Sequence, residues 1–154
     1  MEKIEFNIPK GYVIDLEAST ANKIVYKFER IFNSYKDIKG FKDALEYLGK
    51  EDHSEWYKSN PDQSKVKQSL ALYKLEIIIE AINKIKNWEP NWNDPNQKKY
   101  ITWFVLDSSF QFDGTYCQYT HANAGCASRL HLPSYEIAEY VGKEFIDLWK
   151  AYMN

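Results

Sequence analysis

Two segments near the start of the chain alternate apolar and polar side chains. In KIEFNIP the alternation runs from Ile4 to Ile8, and in NKIVYKFE it runs from Ile24 to Phe28. A period of two residues is typical of a strand that buries one face. The pattern therefore predicts two strands that pair as a long hairpin through the connection from Asp15 to Asn22.

The apolar residues take helical spacing in the middle of the chain. FKDALEYL, residues 41–48, is predicted to form a short helix that is followed by Gly49, a favoured C-cap residue. A second helix is predicted from Ser64 to about Trp88, because neither glycine nor proline occurs before Pro90. Its apolar stripes cover more than one side, so we expect a long and largely buried helix.

The remaining segments are predicted to be a loop, three strands and a final helix. Residues 50–64 are polar and rich in turn formers, which indicates an exposed loop that carries Trp56 and Tyr57. KYITWFVLD, TYCQYT and ASRLHL have the β-branched and aromatic content of strands. Pro133 and Ser134 then introduce a C-terminal helix.

The predicted order of elements is ββααβββα. Strands in two local groups around helices favour an α+β fold with a mainly antiparallel sheet, a long buried helix and a C-terminal helix. A chain of 154 residues with 44% hydrophobic side chains can bury one core, and no repeat or linker composition interrupts it. We therefore expect a single α+β domain over residues 1–154.

Charge, cysteine content and hydropathy set the expected cell compartment. Lys and Arg total 20 against 22 Asp and Glu, and this balance neither requires nor excludes a polyanionic partner. Two cysteines are too few for a disulfide framework, and no secretory leader pattern is present. The most apolar run, LALYKLEIIIEAI, is interrupted by charges and is shorter than the roughly 18 residues of a spanning helix. The sequence predicts a soluble cytoplasmic protein with no membrane partner.

Both cysteines and two histidines fall within one short stretch. Cys117, His121, Cys126 and His131 have the residue types of a structural zinc site. On a regular strand, however, Cys117 and His121 would lie about 13 Å apart, whereas zinc needs ligands about 2.0 to 2.3 Å from one centre. We therefore expect ordinary strand residues and no bound metal. Zinc binding in an irregular loop, or a reactive thiol beside a histidine base, remains an alternative.

The motifs of common catalytic and phosphate-binding sites are absent from the sequence. It contains neither of the glycine-rich phosphate loops, no H-E-x-x-H and no EF-hand loop. Carboxylate pairs such as Glu51 and Asp52 lie in polar segments, where they are simply explained as solvated surface residues. The sequence therefore predicts a protein that is not an enzyme and has no cofactor.

The segment WEPNWNDPNQKKYITW is the strongest candidate for a binding site. Aromatic residues make up 16% of the chain, and here they lie beside cations. The candidate binding residues are Trp88, Trp92, Tyr100, Trp103, Lys98 and Lys99. Such residues can stack on bases and contact phosphates, and Trp and Tyr are also common at protein interfaces. The alternative is structural, with Trp88 sealing the end of the long helix and Trp92 covering the loop against the core.

Three long segments, which include several of the stretches described above, resemble known proteins. They are KIEFNIPKGYVIDLEAST, SLALYKLEIIIEAINKIKNWEPNWNDPNQKKYI and SYEIAEYVGKEFIDLWKAYM. In the order of these segments and in their residue patterns, the chain resembles small uncharacterised proteins of Bacteroidetes genomes and of their phages and prophages. The resemblance implies no reaction and no site residues. It implies a setting, that of a mobile-element accessory protein in a bacterial cytoplasm.

These observations together lead to a functional expectation. We expect a non-enzymatic accessory protein that binds a protein of the host or the phage and that can self-associate. The first alternative is binding of nucleic acid or a nucleotide, including sequestration of a nucleotide signal, through residues 88–103. A hydrolase or a small zinc-binding protein is the second alternative.

Overall fold

The structure, a computed structural model, describes residues 7–9, 11–59, 63–105, 110–118 and 128–153. The chain divides into two compact units, residues 1–32 and 33–154. The first unit contains β1 (Tyr12–Ile14) and β2 (Tyr26–Phe28). The second contains α1 (Phe41–Leu48), α2 (Ser54–Lys58), α3 (Gln63–Ile85), β3 (Lys99–Val105), β4 (Gln111–Gln118), α4 (Tyr135–Glu144) and α5 (Ile146–Met153). This mixture of helices and antiparallel strand pairs confirms the predicted α+β fold.

The first unit contains the predicted hairpin, but with a different first strand. β1 and β2 pair antiparallel, with Tyr12 opposite Phe28. Residues 7–9 are not in a strand, and the rest of the predicted first strand lies outside the described residues. The strand begins later because the chain first turns at Gly11, where φ is +83°, and the Tyr12 N–H donates to the Pro9 carbonyl. Glycine takes this left-handed conformation without steric cost.

The helices of the second unit follow the predicted pattern closely. α1 ends at Gly49, whose left-handed φ of 65° confirms the glycine C-cap. α3 is the long helix predicted from Ser64, and it carries the centre of the core, where five apolar side chains are fully buried among the described residues. These are Leu75, Ile78, Ile79, Ala81 and Ile82. The predicted loop over residues 50–64 is wrong in its middle, because Asp52 Oδ1 accepts a hydrogen bond from the Ser54 N–H and α2 starts there.

The strand predicted for ASRLHL, residues 127–132, is also wrong. β3 and β4 pair antiparallel with an irregularity between Trp103 and Phe104. Residues 128–130, predicted to be in a strand, form a 3-10 turn, and only Leu132 pairs with the other edge of β3, through Tyr100. The extended segment stays short because the N-cap of α4 follows at once.

The predicted C-terminal helix is two helices with a break at Phe145. The Ser134 hydroxyl accepts from the Ile137 N–H and so caps α4, as the sequence indicates. Across the break, the indole N–H of Trp149 donates to the Val141 carbonyl. α4 approaches β4 closely, since a Cβ on Gly142 would lie 2.2 Å from the Phe112 ring. In the part of the chain that the structure describes, no helix has the length and apolar character needed to cross a membrane.

Candidate functional site

A groove with a volume of about 910 Å³ runs along one side of α3. We call it the α3 groove. The residues that α3 contributes are Tyr73, Glu76, Ile77, Glu80, Asn83 and Lys84. They recur every three or four positions and so share one face of the helix. The other walls come from Lys50, from Tyr57 on α2, from residues 87–90, and from Arg129 and His131.

One wall of the α3 groove is aromatic. The rings of Tyr57 and Tyr73 are stacked, with centroids 5.0 Å apart and an interplanar angle of 24°. Trp56 meets Tyr57 edge to face, and Phe41 meets Tyr73 in the same way. The His53 backbone N–H donates to the Tyr73 hydroxyl at 3.1 Å. Ring contacts and this hydrogen bond fix the orientation of the two tyrosines.

Trp88 reaches the α3 groove through the turn that ends α3. Asn87 takes a left-handed φ of 48°, and the Trp88 N–H then donates to the Asn83 carbonyl at 3.0 Å. The Asn87 N–H donates to the Lys84 carbonyl. This pair of bonds is the Schellman arrangement, in which the residue after the left-handed position folds back toward the helix. The cap therefore places the half-buried Trp88 side chain in the groove.

Charged side chains of both signs surround the α3 groove. Lys50 Nζ lies 2.6 Å from both carboxylate oxygens of Glu80. Arg129 lies 3.6 Å from Glu76, with most of the arginine exposed. Among the described lining residues, three cations (Lys50, Lys84, Arg129) face three carboxylates (Glu76, Glu80, Glu89), so this part of the lining has no net charge. Exposed pairs of this kind contribute little stability.

Asn83 connects the groove to a buried cluster behind it. Its side-chain N–H₂ donates to the His131 carbonyl at 2.9 Å, and its Oδ1 is buried without a hydrogen-bond partner among the residues that the structure describes. His131 is 1% exposed, and its ring lies edge to face with Trp92 at 5.0 Å. The cluster holds the segment around His131 against α3.

Two hydrogen-bond donors of the groove are free within the described part of the chain. Neither the Trp88 indole N–H nor the Tyr57 hydroxyl has a hydrogen-bond partner there. Burial, with smaller contributions from the negative charge of Glu76 and from Tyr73, raises the pKa of the Tyr57 hydroxyl above its ordinary value. At neutral pH this hydroxyl is therefore protonated and able to donate.

Lys99 and Trp92, two of the six predicted binding residues, lie together in a structural contact. Lys99 is 1% exposed, and its Nζ donates to the carbonyls of Gln97 at 3.0 Å and Asp94 at 3.3 Å. The same Nζ lies 5.4 Å from the centre of the Trp92 ring. We call these three contacts the Lys99 clamp. A buried ammonium has no surface to offer a phosphate.

The other four predicted residues do not form one surface with the clamp. Trp88 lines the α3 groove, and Tyr100 pairs with Leu132 through the backbone. Lys98 is exposed, and Trp103 is 54% exposed on β3, opposite Gly114. Lys99 and Trp103 are four residues apart on one strand, a separation of about 13 Å.

Sequence reasoning missed most of the residues that line the α3 groove. The polar and aromatic face of α3, with Tyr73, Glu76, Glu80 and Asn83, could have been found from its spacing. It was hidden because the apolar stripes of the same helix dominate the pattern. Tyr57 could not be placed, since its segment gave no helical signal.

The predicted cysteine and histidine stretch lies mostly outside the described residues. His121 and Cys126 fall in residues 119–127, and Cys117 is described only as a backbone position of β4. His131 is in the buried contact with Trp92. Among the described residues, no group of three or more His, Cys, Asp or Glu side chains could hold a metal ion.

Comparison with known proteins adds no assignment to this site. No protein-family model, curated protein or solved structure matches the chain.

Proposed function

We propose that the protein is a non-enzymatic binding protein that engages a protein partner through the α3 groove. The observation that carries the proposal is one open groove lined by Tyr57, Tyr73 and Trp88 and bordered by charges of both signs. Tyr and Trp contribute large contact areas with few rotatable bonds, and they are common among the residues that dominate binding energy. A volume of about 910 Å³ is at the upper end of ordinary ligand pockets.

The charge distribution favours a protein over a nucleic acid as the partner. Binding to a phosphate backbone draws on an excess of cations, because each contact releases counterions. The described lining of the α3 groove has as many carboxylates as cations, and the Lys99 ammonium is buried in its clamp. Lys98 and Trp103 are the exposed members of the predicted site, and they support nucleic-acid binding as an alternative.

The biological setting is a second part of the proposal. The resemblance to Bacteroidetes and phage proteins supports a mobile-element accessory protein that acts in the cytoplasm of a bacterial host. In this setting the partner is a host or phage protein, and self-association adds a second copy of this chain as a partner.

The proposal is tested by quantitative affinity capture from lysogenic or infected cells. We expect the wild type and Trp103→Ala to capture similar amounts of one protein. Tyr57→Ala should capture about 10-fold less of it, or less still. Tyr57 is on the short surface helix α2, so the fold should persist, and thermal unfolding followed by circular dichroism checks this.

Two outcomes would contradict the proposal. Capture that depends on Trp103 and not on Tyr57 would move the site to the sheet surface. Retention of single-stranded DNA or RNA that falls steeply with salt would replace the protein partner with a nucleic acid.

A further inference from the structure

We propose that the α3 groove accepts a proline-rich segment in the polyproline II conformation, flanked by a basic residue. This inference rests on the proposed function and specifies the partner's chemistry. It combines three properties of the groove, namely its aromatic walls and, within the described part of the chain, its free donors and a carboxylate without an ion pair.

The aromatic walls provide flat apolar surfaces for proline rings. Tyr57 and Tyr73 form one stacked pair, and Trp88 with Pro90 lines the same groove from the turn after α3. Aromatic-lined grooves are the common mode for recognising proline-rich segments, whose preformed helix loses little conformational entropy on binding. An open groove suits an extended segment of this kind, which binds along its length.

The free donors match the main chain of such a segment. A polyproline II helix has no internal hydrogen bonds, so its carbonyl oxygens need external donors. The Trp88 indole N–H and the Tyr57 hydroxyl are without partners among the described residues. The Tyr73 hydroxyl accepts from the His53 N–H, which leaves its own proton available. The groove thus offers donors to a ligand that presents acceptors.

The charge pattern places a basic residue near the Trp88 end. Glu76 and Glu80 are paired with Arg129 and Lys50, whereas Glu89 and Lys84 form no ion pair with another described residue. Lys84 Nζ lies 6.0 Å from the centre of the Tyr47 ring, and the Glu89 carboxylate is left for a ligand. Glu89 follows Trp88 directly in the groove lining. An arginine of the ligand would satisfy this carboxylate and fix the direction of the segment.

The length of the groove limits the segment to a few residues. Tyr73 and Lys84 mark the part of the lining that lies on α3, and eleven residues of helix rise by about 16 Å. A polyproline II chain rises about 3.1 Å per residue, so about five residues would span this distance.

The test is fluorescence anisotropy with a labelled oligoproline peptide that ends in arginine. We expect saturable binding that is at least about 10-fold tighter than for a matched peptide in which serine replaces every proline. Tyr57→Phe keeps the ring and removes one donor, so it should weaken binding by roughly 2- to 10-fold. Trp88→Phe removes one donor and part of the ring area, so it should weaken binding at least as much. Trp103→Phe is the matched control and should leave the affinity unchanged.

A second pair of probes tests the direction of the segment. Glu89→Gln should lower the affinity for the peptide that ends in arginine. The affinity for a peptide that ends in glutamate should stay the same or rise. Equal changes for both peptides would remove the basic residue from the proposal.

The peptide experiment and the capture experiment test the two proposals independently, so failure of one can be distinguished from failure of the other. No saturation with the proline peptide up to about 1 mM, or equal affinity for the serine peptide, would overturn the proline-rich ligand. If Tyr57→Ala still loses its captured protein in that case, the proposed function stands with a different type of segment.

Discussion

The α3 groove and the Lys99 clamp both combine aromatic rings with cations, but the two regions use their polar groups differently. In the clamp, the Lys99 ammonium donates to two backbone carbonyls and lies over Trp92. In the groove, the donors of Trp88 and Tyr57 have no partners among the described residues, and its ion pairs are exposed. The clamp satisfies its polar groups internally, whereas the groove leaves them available to a ligand.

The difference shows how to separate a structural aromatic cluster from a binding surface. Trp88, Trp92 and Lys99 lie within twelve residues of sequence, and their composition alone fits both roles equally. A buried polar group must find a hydrogen-bond partner, so the hydrogen bonds of each donor identify its role. The following substitutions test this distinction.

The largest effect is expected from Trp92→Ala. The Trp92 ring contacts His131 and Lys99, so its removal should lower the free energy of unfolding by about 2 to 3 kcal/mol, somewhat less than for a fully buried tryptophan. Trp103→Ala is the control, and since Trp103 is 54% exposed its cost should stay below about 1 kcal/mol. Urea unfolding measures both. Equal losses would mean that Trp92 is no more structural than Trp103.

A smaller effect is expected from Lys99→Met. Methionine keeps the apolar stem but removes the donor to Asp94 and Gln97, so we expect a loss of about 1 to 2 kcal/mol. The neighbouring Lys98 is exposed, and Lys98→Met should change stability by less than about 0.5 kcal/mol. If Lys99→Met leaves the free energy of unfolding unchanged, the ammonium does not stabilise the loop that contains Asp94 and Gln97.

The smallest effect concerns the acid stability of α2, which carries Tyr57. The hydroxyl and backbone N–H of Ser54, with smaller contributions from Lys74 and Lys58, hold the pKa of the Asp52 carboxyl below its ordinary value. A depressed carboxyl pKa stabilises the folded state above the unfolded value, near 3.9, and this contribution is lost as the pH falls through the folded pKa. Asp52→Asn should therefore lose less stability than the wild type below about pH 4. Parallel curves of melting temperature against pH would contradict this role.

The sequence predicted the parts of the fold that depend on local patterns. α1, its glycine cap and the long buried α3 follow from apolar spacing and from the placement of Gly49. α2 and the 3-10 turn at residues 128–130 were missed because short helical turns depend on single hydrogen bonds, such as that of Asp52 with Ser54. Across the break at Phe145, the Trp149 indole N–H donates to the Val141 carbonyl eight residues earlier, and the apolar spacing of the segment does not indicate this contact.

The candidate site was predictable only in part. Trp88 was among the predicted binding residues, and the cap that places it follows from the left-handed Asn87. Lys99 looked equivalent to Lys98, since burial of one of two adjacent lysines depends on the fold of residues 91–97. The aromatic pair of Tyr57 and Tyr73 joins positions from two helices, so it required the tertiary structure.

The dual use of α3 has a consequence for ligand discovery. The same helix supplies buried Leu75 and Ile78 on one side and Tyr73 and Glu80 on the groove side. A molecule that binds this groove therefore binds a surface that disappears when the second unit unfolds. Occupancy must then raise the melting temperature by linkage, about 2.7 kcal/mol of added stability at one hundred times the dissociation constant. A melting assay can thus screen compounds and peptides before any natural partner is identified.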